Sequence, residues 1–108
     1  MDKEELQRRI EAGAFAANNG KVLRAINIMA GNDIRLRSLQ YALAELSHGE
    51  LSESLYYLQD SGYIKIRKAN SHMEIEVSDA DYDDTDVRIT AKGMQLLMGY
   101  TTDPVIKV

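Results

Sequence analysis

Apolar residues recur at helical spacing at the amino-terminal end of the chain. The pattern predicts a first helix from Lys3 to about Ala17, whose apolar side consists of Leu6, Ile10, Ala14 and Ala17. Gly13 lies inside this segment and weakens it by about 1 kcal/mol relative to alanine. The run Asn18-Asn19-Gly20 then interrupts the periodicity, so we expect a break in the helix at this point.

Two more helical segments follow the expected break. Gly31-Asn32 suits a left-handed C-terminal cap and ends the first of them, whose apolar residues are Val22, Leu23, Ile26, Met29 and Ala30. Asp33 is a candidate N-cap for the second, whose apolar residues are Leu36, Leu39, Ala42, Leu43 and Leu46. The amino-terminal half of the chain is therefore expected to be helical.

The next helix has a specific start signal. Ser47 and Glu50 form the S-x-x-E pattern of a capping box, in which two side chains bind backbone amides reciprocally. We therefore expect a helix that begins near Ser47, ends at Gly62 and has an apolar side of Leu51, Leu55 and Leu58. In the alternative, Gly49 caps the previous helix and Ser52 is the N-cap, which leaves a helix of only about two turns. The capping box favours Ser47.

The apolar period changes from helical to alternating after Gly62. The alternation predicts three short strands, at residues 64–67, 73–77 and 87–89. Asn70-Ser71 suits a tight turn between the first two strands, and a longer acidic loop at residues 78–86 precedes the third. Thr90 is the expected N-cap of a last helix, from Ala91 to about Met98.

These elements predict one domain over residues 1–108, without an internal repeat or an interdomain linker. The amino-terminal helix occupies residues 2–17, the core about residues 21–98 and a tail residues 99–108. With 108 residues, 44% of them hydrophobic, the chain can bury a core without disulfides or a structural metal.

The negative charge of the chain is concentrated in one loop. The formal charge is -4, from 13 Lys+Arg and 17 Asp+Glu, and such acidity disfavours a nucleic-acid partner. Five of the acidic residues lie within residues 79–86, where there is no basic residue: Asp79, Asp81, Asp83, Asp84 and Asp86. The rest of the chain has 13 basic against 12 acidic residues, so its charge is +1.

The acidic loop begins like a calcium-binding loop, with oxygen donors at alternate positions. The sixth position is Asp84 instead of glycine and the twelfth is Thr90 instead of glutamate, so the turn and the bidentate ligand are both missing. We therefore expect a flexible, solvated loop. Adventitious binding of divalent ions and contact with a basic protein surface stay open as alternatives.

Several classes of chemistry lack the residues that they need. The chain has no cysteine, which excludes a thiol nucleophile, a cysteine zinc site and a disulfide framework. His48 and His72 have no partner one helical turn away, so we expect no metal site. There is no recognisable Ser-His-Asp motif or phosphate loop, and we expect neither an enzyme nor a cofactor. Without a signal peptide or an apolar span, we expect a cytoplasmic protein without membrane contact.

Two segments of the chain resemble parts of a known family. Residues 51–66, LSESLYYLQDSGYIKI, resemble the recognition helix and first wing strand of winged-helix regulators of the MarR and PadR type, where an LxxLxxxGYI pattern closes the helix and opens the wing. Residues 87–97, VRITAKGMQLL, are similar to the xxxLTxxGxxLL segment that leads from the wing into a C-terminal helix. The resemblance covers residues 21–98, and residues 39–48 and the Asp-Pro tail look more distantly like small winged-helix proteins of prophages.

The resemblance implies an α+β fold of the winged helix-turn-helix type. It has a three-helix core, a β-hairpin or meander as the wing, and flanking amino- and carboxyl-terminal helices. The helix that starts near Ser47 would lie in the major groove of double-stranded DNA, and the wing would touch phosphate or the minor groove. Carried over by position, the groove-facing residues are His48, Gly49, Ser52, Glu53 and Tyr56. None of them has a fixed positive charge, so the arginine contact to guanine is missing.

Basic residues lie on the neighbouring elements instead. Arg35 and Arg37 stand at the start of the preceding helix, and Lys65, Arg67 and Lys68 lie on or just after the first wing strand. As one face they could hold a duplex with modest, salt-sensitive affinity, but a strand edge protected by charge explains them equally well. The residues predicted to bind DNA are Arg35, Arg37, His48, Ser52, Tyr56, Lys65, Arg67 and Lys68.

The sequence leaves two functions open. The first is a DNA-binding transcriptional regulator, a homodimer that associates through Leu6, Ile10 and Phe15 of the amino-terminal helix. The second is a winged-helix interaction module, such as an accessory protein of a phage or mobile element, that binds protein through the uncharged helix face and the acidic loop. Analogy with the fold makes the first function our prediction, and the uncharged helix face keeps the second as the alternative.

Overall fold

The computed structural model describes residues 2–29 and 33–108. Their elements, in chain order, are α1 (Lys3–Ile28), β1 (Ile34–Arg35), α2 (Leu36–Ala42), α3 (His48–Asp60), β2 (Ile64–Lys68), a 3₁₀ turn (Val77–Asp79), β3 (Thr85–Ile89) and α4 (Ala91–Leu97). The described residues thus form four α-helices and a three-stranded antiparallel sheet, which confirms the α+β class and is compatible with a winged-helix layout. No helix in these two ranges is both long and apolar enough to cross a membrane.

Helix α1 runs without interruption through Asn19 and Gly20, so the predicted break is wrong. Both residues are buried because the carboxyl-terminal tail packs on them. The Asn19 side-chain amide donates to the Val105 carbonyl at 3.0 Å, and the Lys107 N–H donates to the Ala16 carbonyl at 3.0 Å. A Cβ at Gly20 would lie 1.8 Å from the Lys107 carbonyl oxygen, so the tail needs a glycine here. The cap predicted at Gly31-Asn32 lies outside the described residues.

The start of α2 also differs from the prediction. The N-cap is Arg35, which supplies no side-chain cap, so the assignment of Asp33 to this role is wrong. Asp33 instead accepts a hydrogen bond from Arg67 Nη2 at 2.8 Å. The two residues of β1, which the alternation did not predict, pair with the middle of β3. This pairing fixes where α2 begins.

Helix α3 starts as its sequence predicts. Ser47 Oγ accepts from the Glu50 N–H at 3.1 Å, and Glu50 Oε1 accepts from the Ser47 N–H at 2.9 Å, which completes the capping box. The bonds from the Ser47 backbone and side chain lower the pKa of Glu50. The alternative start at Ser52 is wrong, and Gly62, with φ at +84°, follows the end of the helix.

The sheet has the strand order β1-β3-β2, with β3 in the centre. Strands β2 and β3 agree with the predicted first and third strands. The predicted second strand, residues 73–77, is reduced to one bridge between Arg67 and Glu74, and the chain then enters the 3₁₀ turn. The side chain of Gln59 diverts it, because Gln59 Nε2 donates to the Ile75 carbonyl at 2.7 Å and Oε1 accepts from the Val77 N–H at 3.1 Å.

The buried apolar residues of the helices and the sheet form one cluster, which includes Leu23, Leu55 and Ile66. The tail contributes Ile106 to this cluster and is fixed by Asp103. One carboxylate oxygen of Asp103 accepts from the Tyr57 hydroxyl at 2.7 Å and from the Tyr63 hydroxyl at 2.9 Å. Burial, and to a smaller extent the hydrogen bond to Asp103, raises the pKa of Tyr63 to about 12. The tail is thus an integral part of the fold.

Candidate functional site

The outer side of α3 brings together three of the residues predicted to bind DNA. His48, Ser52 and Tyr56 are spaced by four positions and follow one another along the helix. His48 and Tyr56 are exposed, and Ser52 is partly buried. The face is therefore partly accessible, and the parts of the chain that cover it determine what it can bind.

The chain itself covers the amino-terminal part of this face. The ring centroids of His48 and Tyr82 lie 5.1 Å apart, and the Arg37 N–H donates to the Tyr82 carbonyl at 3.0 Å. A small cavity of about 290 Å³ remains between α3 and the loop, and its wall includes Ser52 and Asp81. Because Tyr82 is only 5% exposed, the prediction of a solvated loop is wrong at the loop's centre.

The carboxyl-terminal part of the same face is open and forms an apolar groove between α1, α3 and the 3₁₀ turn. The groove has a volume of about 570 Å³, and we call it the aromatic groove; it is lined by Phe15, Ser52, Glu53, Tyr56, Tyr57, Val77 and Ser78. The rings of Phe15 and Tyr57 pack edge to face with centroids 5.7 Å apart. Tyr56 is 57% exposed at the groove, so a large aromatic surface faces solvent.

Carboxylates stand beside this apolar surface. Glu53 lines the aromatic groove, and Asp81 lines the adjoining small cavity. Neither takes part in an ion pair among the described residues. The one cation of the small cavity, Arg37, is held by Asp83 through Nε at 2.8 Å and Nη2 at 3.3 Å. The accessible charge at this surface is therefore negative.

The arginines predicted to hold DNA phosphates at the start of α2 are bound within the chain. Arg35 Nε donates to Asp86 at 2.8 Å, and Arg35 Nη1 donates to the Asp83 carbonyl at 2.7 Å. The side-chain hydrogen bond between Arg37 and Asp83 raises the pKa of the arginine and lowers the pKa of the aspartate. The acidic loop thus neutralises both arginines.

The predicted basic residues of β2 are divided between paired and unpaired positions. Arg67 binds Asp33, and Lys65 lies 3.8 Å from Glu74. Lys68 is exposed and forms no ion pair with the residues that the structure describes. Arg88 of β3, which is directly opposite Lys65 in the register, is likewise exposed and was not predicted as a binding residue. Lys65 and Arg88 therefore form a small positive patch on the outer side of the sheet, whereas the alternation along β2 places Lys68 on the face of Ile64 and Ile66.

Sequence reasoning found part of the aromatic groove. The adjacent Tyr56 and Tyr57 indicate that one tyrosine leaves the core side of the helix, and an interface is the best use of such a residue. Phe15 was expected at a dimer surface, whereas its ring packs on Tyr57. Val77 could not be found, because it reaches the groove only through the diversion of the chain by Gln59.

Residues 2–29 and 33–108 contain no group of three or more histidine, cysteine, aspartate or glutamate side chains arranged to hold a metal ion. Comparison of the chain with protein-family models, with curated proteins and with solved structures finds no match.

Proposed function

We propose that this protein is a protein-interaction module of winged-helix type, and that its aromatic groove binds an amphipathic helical segment of a partner protein. The observation that carries the proposal is the open apolar groove on α3, with Tyr56 and Tyr57 in its wall. Aromatic residues in such a position are typical anchors of protein interfaces. A groove between two helices suits the helix-in-groove mode of recognition, in which apolar residues spaced along one face enter the groove.

The charges at the groove indicate a basic partner. Glu53 and Asp81 are both free of ion pairs within the described chain, and the formal charge of the chain is -4. Lysine or arginine residues that flank the apolar face of the partner helix would meet these carboxylates. Complementary charges of this kind accelerate association and select among partners. We also propose that this interaction takes place in the cytoplasm.

A fluorescent synthetic helix of leucine and lysine tests the groove by anisotropy. We expect wild-type protein to bind it, and Tyr56→Ser to bind about tenfold more weakly because a central aromatic contact is lost. Tyr41→Ser is the matched control, since Tyr41 is exposed on α2 and does not line the groove. Glu53→Lys should weaken binding of this peptide and improve binding of a leucine and glutamate peptide. Equal binding by wild type and Tyr56→Ser would contradict the proposal.

Binding of double-stranded DNA is the second candidate function, and the patch on the outer side of the sheet favours it. Lys65 and Arg88 are paired in the register and form this patch, and Lys68 is exposed at the end of β2. A titration of labelled duplex at low and raised salt separates the two functions. A DNA-binding protein gives a slope of about -0.9 per phosphate contact in log affinity against log salt, reduced in a Lys65→Ala, Arg67→Ala, Lys68→Ala variant. Under our proposal, salt-sensitive binding of the DNA duplex is absent.

We also propose that the protein associates with a second copy through the amino-terminal half of α1. Leu6 and Ile10 are 49% and 57% exposed. At about 100° per residue they lie roughly opposite the core-facing Leu23 and Ile26, so the fold of one chain leaves them uncovered. Sedimentation should give the mass of two chains at high concentration and of one chain after Leu6→Glu and Ile10→Glu. Arg8→Glu, on the other side of α1, is the control, and a wild-type mass of one chain would contradict the proposal.

A further inference from the structure

The small cavity beside α3 continues the aromatic groove. The two spaces share three lining residues, Ser52, Val77 and Ser78. Along α3, His48 lines the small cavity, Ser52 lines both spaces and Tyr56 lines the groove, so the two follow one another along the helix. A helix that lies along the groove can therefore place one of its side chains in the small cavity.

The wall of the small cavity offers hydrogen-bond acceptors that the described chain does not use. Asp81 Oδ1 accepts from the Asp83 N–H at 3.0 Å, which fixes the carboxylate in position, while Oδ2 has no partner among the described residues. The side chains of Ser52 and Ser78 likewise form no hydrogen bond within the described ranges. One carboxylate oxygen and two hydroxyl oxygens are thus available to a ligand.

The uncompensated charge of the small cavity is negative. Arg37 in its wall donates to both carboxylate oxygens of Asp83, and its Nη1 donates to Gln40 Oε1 at 2.7 Å. Asp83 therefore neutralises this guanidinium, whereas Asp81 takes part in no ion pair among the described residues. The Asp81 carboxylate favours a ligand group with positive charge, and a volume of about 290 Å³ suits a single side chain.

We propose that the small cavity binds the ammonium group of one lysine of the helical segment that occupies the aromatic groove. This proposal rests on the function proposed for that groove. A lysine ammonium has three donors, which match the acceptors of Asp81, Ser52 and Ser78. The apolar stem of the lysine packs on Val77 and Ala80 of the same wall. We call this arrangement the lysine site.

Replacement of each lysine of a leucine and lysine helix by norleucine tests the lysine site, with anisotropy measured on the full chain. The leucines span only two turns, so that the peptide fits the groove in one register, and norleucine keeps the stem of lysine without its charge. We expect one replacement to weaken binding about tenfold, because a hydrogen-bonded charge is lost, and the others to have small effects. Asp81→Asn should weaken binding of the parent helix about tenfold and remove the difference between lysine and norleucine at that position, since both changes remove the same contact.

Asp84→Asn is the matched control, because it removes an exposed carboxylate of the same loop that does not line the cavity. This variant should bind every peptide as wild type does. Asparagine at position 81 keeps an acceptor for the Asp83 N–H, so Asp81→Asn preserves the turn of the loop.

Two variants separate the lysine site from the function proposed for the groove. If Tyr56→Ser weakens binding and Asp81→Asn does not, the groove binds the helix and the lysine site is wrong. If Asp81→Asn weakens binding and Tyr56→Ser does not, the small cavity binds lysine and the function proposed for the groove is wrong. Equal losses for all norleucine peptides would reflect only the general negative charge and overturn the lysine site, and a wild type that binds no helix overturns both proposals.

Discussion

Substitution of Gly20 by alanine should lower the free energy of unfolding by about 1–3 kcal/mol, as overpacking typically does, and should release the carboxyl-terminal tail from α1. The added Cβ would lie 1.8 Å from the carbonyl oxygen and 2.7 Å from the carbonyl carbon of Lys107. Both are backbone atoms, so no rotation of a side chain relieves the clash. The tail must therefore move away, with loss of the bonds from Asn19 to Val105 and from Lys107 to Ala16.

Gly13→Ala on the same helix is the matched control. No atom lies within 4 Å of a Cβ built at Gly13, which is exposed. This substitution should therefore raise the free energy of unfolding by about 0.5–1 kcal/mol through helix propensity alone. Urea unfolding measures both effects, and proteolysis of the tail detects its release. Effects of the same sign at the two glycines would show that the packing of the tail does not constrain position 20.

Local sequence predicts several helix ends of this fold but not the continuity of α1. The capping box at Ser47, the end of α3 before Gly62 and the cap of α4 at Thr90 all depend on residues within a few positions, and the sequence predicts each of them. The continuity of α1 depends instead on the packing of Gly20 against Lys107. Local periodicity contains no information about that contact. The intrinsic propensities of Asn-Asn-Gly therefore predict a helix break, whereas in this fold the run lies inside a helix.

The strand predicted at residues 73–77 failed for a similar reason. Its alternation of Met73, Ile75 and Val77 with glutamates suits a strand, and the bridge from Glu74 to Arg67 shows that pairing begins. The side-chain amide of Gln59 then competes successfully with the backbone of β2 for the groups of Ile75 and Val77. A glutamine in a helix gives no signal that it will bind a distant backbone. The segment therefore leaves the sheet after one bridge and enters the 3₁₀ turn.

The candidate site was predictable in its residues but not in its charges. The face of α3 with His48, Ser52 and Tyr56 follows from the helix alone. The fate of the arginines does not, because Arg35 and Arg37 bind aspartates that lie 51 and 46 positions away. In the sequence, the loop is only a cluster of acidic residues apart from the arginines. In the fold it neutralises both arginines, which shifts the favoured partner from DNA to protein.

Substitution of Asp103 by alanine should lower the free energy of unfolding by about 2–3 kcal/mol, because two tyrosine hydroxyls lose a charged acceptor. The carboxylate accepts from Tyr57 and Tyr63, and its second oxygen accepts from the Val105 N–H at 2.9 Å. Burial alone would raise the pKa of Asp103, but these three hydrogen bonds outweigh it and hold the pKa below its ordinary value. Asp84→Ala is the control, since its exposed side chain forms no hydrogen bond with the described residues.

The pH dependence of the stability difference between wild type and Asp103→Ala shows whether the carboxylate causes it. A lowered pKa stabilises the fold above the ordinary value of 3.8, and that stability is lost as the pH falls through the folded value. Unfolding experiments should therefore show the wild type approaching the Asp103→Ala variant in acid. At alkaline pH the sign is opposite: Tyr63 keeps its proton up to about pH 12 when folded, against 10.0 in its ordinary state, so wild-type stability falls between these values. A gap between the two proteins that is constant with pH would contradict the role of the carboxylate.

The same substitution connects the tail to the proposed function. Tyr57 forms a wall of the aromatic groove and donates its hydroxyl to Asp103, although no residue of the tail lines the groove. Without this acceptor, Tyr57 loses the bond that orients its ring against Phe15. We therefore expect Asp103→Ala to bind the leucine and lysine helix several-fold more weakly under conditions where it is still folded, whereas Asp84→Ala binds as wild type does. Unchanged binding by folded Asp103→Ala would mean that the packing on Phe15 alone holds the tyrosine in place.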